Sequence, residues 1–99
     1  MPTLVFAKFA INDHAGYSRY VKLATPIFLR EKVIVHASDE EPQALSSDMQ
    51  ADKVVLLEFR DHSHFKHFFS QSDYIEAAKI RDAASTISAT VSERFEMPK

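Results

Sequence analysis

The chain has no cysteine, no tryptophan and a single glycine, Gly16, in 99 residues. Without cysteine there is no disulfide, thiolate metal site, iron–sulfur cluster or thiol nucleophile. One glycine leaves no glycine-rich loop to cradle phosphates, which argues against nucleotide binding. No stretch approaches the roughly 18 consecutive apolar residues of a membrane helix. Neither sign of charge dominates: twelve Lys/Arg against fourteen Asp/Glu give a net charge of −2, so nothing general draws the chain to nucleic acid or an anionic membrane. The apolar run from Thr3 to Ile11 is short, is interrupted by Lys8, and lacks a basic leader or a small-residue cleavage pattern. It reads as a strand rather than a signal peptide, and a cytoplasmic location is expected.

What is present suits one globular domain. Hydrophobic residues make up 45 % and charged residues 26 % of the chain, an ordinary balance for a packed core. A single domain is expected over residues 1–99, with an ordered core from about 3 to 95. Thr3 to Ile11 is strand-like, and Asn12-Asp13 supplies a helix cap. Apolar positions at Tyr17, Tyr20, Val21, Ala24, Ile27 and Phe28 form a helical stripe between His14 and Glu31. Pro26 lies inside it and predicts a kink near Lys22 to Thr25. Lys32 to Ser38 is a second strand, and the acidic stretch from Asp39 to Asp52 is a long hairpin loop. Lys53 to Arg60 is a third strand. Asp61 caps a second helix with Phe65, Phe68 and Phe69 inside, broken at Ser70 to Ser72 before a further helical stretch from Asp73 to Ala84. Thr86 to Phe95 is the last strand, and Met97-Pro98-Lys99 is expected to fray.

The order β-α-β-β-α-β predicts an α+β, ferredoxin-like fold, a four-stranded antiparallel sheet with two helices on one face. Right-handed crossovers put the first and third strands in the centre. Alternation then divides the strands into two faces. Val5, Ala7, Phe9, Ile11, Val33, Val35, Val55, Leu57, Phe59, Ile87, Ala89 and Val91 form a uniformly apolar face for the helices. The opposite face carries Leu4, Phe6, Ile34, Val54 and Leu56 together with Lys8, His36, Glu58 and a row of Ser and Thr. An exposed apolar patch of several hundred Å² exceeds what soluble monomers usually carry. A second copy packed face to face about a two-fold axis is the expected cover.

Residues along nearly the whole chain also resemble a known family. Val54-Val55-Leu56-Leu57-Glu58-Phe59, an aromatic-bearing helix, then Ser72-Asp73-Tyr74 and the run to Arg81-Asp82-Ala83-Ala84 are similar to the domain-of-unknown-function family 1330. Asp13 through Tyr17 and Tyr20 to Pro26 resemble the first helix of the same family. The resemblance implies the dimeric α/β-barrel superfamily, in which two such sheets pack into one barrel. That superfamily includes cofactor-free monooxygenases, lactone isomerases, haem proteins and non-catalytic ligand sensors. Two departures stand out. Arg30-Glu31-Lys32 replaces a glycine pair after the first helix, and Ala44-Leu45-Ser46-Ser47-Asp48 replaces a Leu-Glu-Gly in the hairpin. The absence of tryptophan sets the chain apart from the haem-degrading relatives.

Three constellations could carry chemistry. Lys8, His36 and Glu58 share the partner-facing side; Lys8 and Glu58 are expected to pair, with His36 beside them. They could supply an acid/base group, or an ion pair that sets dimer register. Tyr17, Tyr20, Tyr74 and Arg81 lie on helix faces turned to the sheet. They are either core or the wall of a cleft in which Arg81 orients a carboxylate or enolate and the tyrosines bind a ligand. His62, His64 and His67 invite a metal reading, but Lys66 intervenes and no carboxylate falls at a matching offset; a solvent-facing cluster is expected, with no metal and no cofactor.

The resulting expectation is a homodimer with a small-molecule pocket. It would be a cofactor-independent enzyme working by proton transfer, isomerisation or oxygenation of a small carbonyl or aromatic metabolite, with His36, Glu58 and Arg81 catalytic and Lys8, Tyr17, Tyr20 and Tyr74 binding the ligand. The alternative is a non-catalytic ligand-binding or structural dimer.

Overall fold

A computed structural model describes residues 1–98; of the terminal Met97-Pro98-Lys99, Lys99 lies outside the described residues. The chain runs β1 (Thr3–Ile11), α1 (His14–Arg30), β2 (Ile34–Asp39), a 3₁₀ turn at Ser47–Met49, β3 (Lys53–Phe59), α2 (His62–Ser70), α3 (Ser72–Ala84) and β4 (Ser85–Glu93). The sheet is antiparallel in the order β2-β3-β1-β4, so the first and third strands are central. This is the ferredoxin-like α+β arrangement, with the second helical region divided at Gln71, whose extended backbone separates α2 from α3.

Alternation is plain in β1, where Thr3, Val5, Ala7 and Phe9 are buried and Leu4, Phe6 and Lys8 are half-buried. The first set meets the helices. Phe9 packs edge-on against Tyr17, and Phe59 is surrounded by Phe65, Phe68 and Phe69 of α2. Edge strands are covered less well: Val35 and Val91 face the helical side yet remain exposed, because the helices do not reach the sheet margins.

Asp13 caps α1, its Oδ1 accepting from the Gly16 backbone N–H at 3.1 Å. Gly16 is also where α1 meets α3. A Cβ there would lie 2.7 Å from Asp13 Oδ2 and 3.1 Å from the Ala84 Cβ, so a side chain would disturb both the cap and the helix contact. Asp61 caps α2 in the same way, accepting from His64 N–H at 2.8 Å. α1 runs through Pro26 as one element. Lys22 and Pro26 are both exposed, so water can serve the Lys22 carbonyl that loses its intrahelical donor.

The end of α1 explains how the chain manages without the glycine pair. Lys32 N–H donates to the Leu29 carbonyl at 3.2 Å and Val33 N–H to the Phe28 carbonyl at 3.0 Å, a Schellman closure. Lys32 occupies its left-handed position at φ 57°, a conformation that favours glycine. The left-handed penalty of about 1–2 kcal/mol for an L-residue exceeds the roughly 0.5–1 kcal/mol entropic cost of glycine. Lys32→Gly should therefore stabilise the fold by about 0.5–1 kcal/mol, read as a higher urea midpoint with an unchanged slope.

Candidate functional site

Midway along, the central strands present small or medium side chains to the helices, with Phe9 and Phe59 nearer their ends, and the other large rings come from above. Between Val5, Ala7, Val55 and Leu57 below and Tyr17, Tyr20, Phe28 and Tyr74 above, a cavity of about 460 Å³ is left. That is within the roughly 300–1,000 Å³ range of small-molecule sites. Leu29 and Val35 both line it and are 74 % and 47 % exposed, so it opens toward the β2 edge. All three tyrosines of the chain line this cavity.

Its polar groups are few and connected. Tyr20 on α1 and Tyr74 on α3 share a hydrogen bond between their hydroxyls at 2.7 Å. Arg81, two turns further along the same face of α3, donates from Nη1 to the Tyr74 hydroxyl at 3.1 Å and from Nε to Asp82 Oδ1 at 3.1 Å. Its guanidinium carbon lies 5.8 Å from the Tyr20 ring centre. Burial pushes the Tyr17 phenol up to about 12, reinforced by Tyr74 nearby. Burial likewise raises Tyr20 and Tyr74 above the ordinary tyrosine value. All three therefore remain protonated donors at neutral pH. Burial pulls the Arg81 guanidinium down, but the neighbouring Tyr74, Tyr20 and Asp82 outweigh it, so it stays a cation.

Lys53, which sequence reading passed over, also lines the cavity. It is 5 % exposed, and its Nζ lies 4.8 Å from the centre of the Tyr17 ring. Its position is available from alternation, since Lys53 shares its face with Val55, Leu57 and Phe59.

The outer face of the sheet holds a second polar group. Glu58 is 9 % exposed and sits between Leu4 and Ile34 on the neighbouring strands. It takes a hydrogen bond from His36 Nε2 at 3.0 Å and contacts of 3.3 and 3.4 Å from Arg94 Nη1. Alternation from Val35 puts His36 on this face, at a β-bulge between Val35 and Ala37. The bond from His36 and the charge of Arg94 hold the Glu58 carboxyl below its usual range. Arg94 lies one residue beyond β4, yet alternation through the expected strand Thr86 to Phe95 puts it on the same face as Ser92 and Glu58.

The expected Lys8–Glu58 pair does not form. Lys8 lies opposite Val54, and Leu4 lies opposite Glu58, so two of the charges sit at different ends of the strands. Lys8 instead donates to the backbone carbonyl of Asp48 in the hairpin loop. The sheet itself separates the candidate residues: Tyr17, Tyr20, Tyr74 and Arg81 meet on the helical side, while His36, Glu58 and Lys8 lie on the other. Within one chain His36 and Glu58 cannot act on the same molecule as Arg81.

The histidine cluster also differs from expectation at one position. His64 is buried, not solvent-facing, because both ring nitrogens bond backbone: Nδ1 accepts from Arg60 N–H at 3.0 Å, and Nε2 donates to the Glu31 carbonyl at 2.7 Å. That ring ties α2 to the end of α1 and has no nitrogen left for a metal. Among the described residues, no group of three or more His, Asp or Glu could hold a metal ion, and no helix is long and apolar enough to cross a membrane.

Residues 2–95 match the family described as domain of unknown function DUF1330. The chain belongs to that family. No curated protein matches it in sequence. Among solved structures, the DUF1330 chain is similar to RPA0582, a protein of unknown function from Rhodopseudomonas palustris. Identity is 18 % over 97 % of this chain and 84 % of that one, with a TM-score of 0.82. It is similar in fold to SnoaB, a cofactor-independent oxygenase from Streptomyces nogalater, at 16 % identity over 99 % and 98 % of the two chains and a TM-score of 0.67. A dimeric ferredoxin-like protein of unknown function from Thermobifida fusca matches at 16 % identity over 95 % and 92 %, TM-score 0.67.

The buried phenols make a pH prediction for this DUF1330 protein. A phenol whose folded pKa lies above its unfolded value of 10.0 contributes stability that is complete below pH 10 and is lost as pH rises through about 12. Ultraviolet difference titration should show no tyrosinate in the folded protein until the pH nears 12 or the fold is lost. Stability measured by denaturant should fall steadily above pH 10.

Proposed function

We propose that this protein is a homodimer that binds a small organic anion, an aromatic or carbonyl-bearing acid or its enolate, between sheet and helices, and acts on it without a bound cofactor. The observation that carries this reading is the Tyr20–Tyr74–Arg81 chain. Arg81 donates to the Tyr74 hydroxyl, and the two hydroxyls share one hydrogen bond, which uses one phenolic proton. Whichever hydroxyl donates, one O–H remains for a ligand oxygen. A phenolic donor backed by a cation is suited to an oxyanion, and such a donor strengthens its bond as negative charge develops. Apolar walls supply affinity for the body of the ligand.

Proton transfer from a carbon beside a carbonyl would place its enolate charge on that donor. An enolate or phenolate so held is also the electron-rich form of substrate that reacts with oxygen without a cofactor. The likeness of fold to a cofactor-independent oxygenase is consistent with this chemistry. Dimerisation is supported by the outer face, where Leu4, Phe6, Val54 and Leu56 form a half-buried apolar strip beside exposed Ile34, and by relatives described as dimeric.

Two measurements test the proposal. With no tryptophan, intrinsic emission comes only from the three cavity tyrosines, so titration with benzoate should change it saturably. Loss of a charged hydrogen bond worth about 1.5–3 kcal/mol should weaken that binding by roughly 10- to 100-fold in Arg81→Leu. Unchanged emission, or equal binding by the variant, refutes the anion site. Sedimentation should show a dimer that Phe6→Asp with Leu56→Asp converts to a folded monomer, and a monomeric wild type refutes the assembly.

A further inference from the structure

Lys53 is the one feature of the cavity that anion binding through Arg81 leaves unused. A lysine ammonium is rarely this buried unless a carboxylate pairs with it. Its Nζ lies 4.8 Å from the centre of the Tyr17 ring, and among the described residues no carboxylate forms a salt bridge with it. Lys53 is held there by the strand, not by choice of rotamer alone: it lies opposite Phe9 at the start of β3, and its parity turns it toward the helices. Its Nζ thus projects into a largely apolar cavity that is open at the β2 edge.

Burial also draws the Lys53 amine below the ordinary lysine value, with Glu40 beyond β2 opposing this more weakly. The groups that face it are the neutral Tyr17 ring from α1 and, at longer range, Glu40. A desolvated lysine without a carboxylate partner is the arrangement that activates an amine as a nucleophile.

We infer that Lys53 captures a carbonyl ligand of this cavity as a Schiff base, and that the ligand class is a compact oxo acid whose carboxylate points to Arg81. This rests on the anion-binding reading above. Tyr17 and Tyr20, with ring centres 5.6 Å apart, stand between the two cations, Tyr17 under Lys53 and Tyr20 under Arg81. An acid with its carbonyl and carboxylate at opposite ends of a flat body would span them. In the reaction the neutral amine adds to the carbonyl carbon, and the carbonyl oxygen takes a proton to give a carbinolamine. Loss of that oxygen as water leaves the C=N bond. Amine and carbonyl become imine and water, with no change of oxidation state. The protonated imine then draws electrons from the adjacent carbon and would ease removal of a proton there.

The test uses 4-formylbenzoate with cyanoborohydride, which delivers hydride to the imine carbon and makes the link permanent, followed by peptide mapping. Of the seven lysines, Lys53 should be modified first, ahead of exposed Lys22, since burial lowers its proton affinity and leaves more of it as free amine. Benzoate should protect Lys53 and leave Lys22 unaffected, and Lys53→Met should lose the adduct while keeping the benzoate response of tyrosine emission. If Lys53→Met does not fold, benzoate protection in the unaltered protein still decides. Labelling spread evenly over the lysines overturns the inference. An unlabelled Lys53 in protein that binds benzoate overturns the imine and leaves the anion site standing; absence of both labelling and benzoate binding overturns both.

Discussion

A single sheet whose helices all lie on one side has two faces to satisfy and material to cover only one. That constraint shapes every other feature of this protein. On the covered side, α1 and α3 approach closely at Gly16 and Ala84, where a side chain at Gly16 would strike the Asp13 cap. This contact fixes the two helices relative to each other, and through them the bond between Tyr20 and Tyr74. The rings of Phe59 and Phe68 fill the end under α2 completely. At the other end the helices stand over small strand residues, and the cavity is the space they cannot fill.

A cavity of that size is costly if it serves only packing, since unfilled volume forfeits dispersion contacts. Polar groups at its wall add a desolvation cost, reduced here because Tyr20, Tyr74 and Arg81 satisfy one another. Lys53 has only a ring face and the weaker influence of the Glu40 charge. The combination of unfilled apolar volume, a connected donor chain and an unpaired buried amine departs from what stability alone selects. Sites that bind ligands carry this kind of local cost, and the well-packed Phe59–Phe68 end and the capped helices offset it.

The uncovered face carries the complementary problem. Glu58 sits among apolar neighbours, and its charge is met by His36 from the β-bulge and by Arg94 from beyond the last strand. A charge cluster within an apolar strip costs little while water reaches it. Under a second copy it would be desolvated, and the two partners would then become necessary. Such clusters favour one register of association over others.

Much of this was legible in the chain itself. Period-two alternation identified the strands and both faces, and period-3.6 stripes identified the helices, because burial of one face imposes those periods locally. Asp13 and Asp61 announced the helix starts by their cap chemistry. Alternation also had Lys53 on the inner face, although its importance depended on a void no periodicity describes. The pairing of Lys8 with Glu58 failed because β1 and β3 are distant in the chain and no connecting turn fixes their register, which sets Lys8 against Val54. His64 was misplaced since its burial comes from a carbonyl at Glu31, thirty-three positions away. Composition and local pattern thus determined the elements, their order and the sidedness of the sheet, through short-range sterics and burial. Which side chains meet, and where the helices leave room, came only from the tertiary structure, because those are long-range distances set by packing.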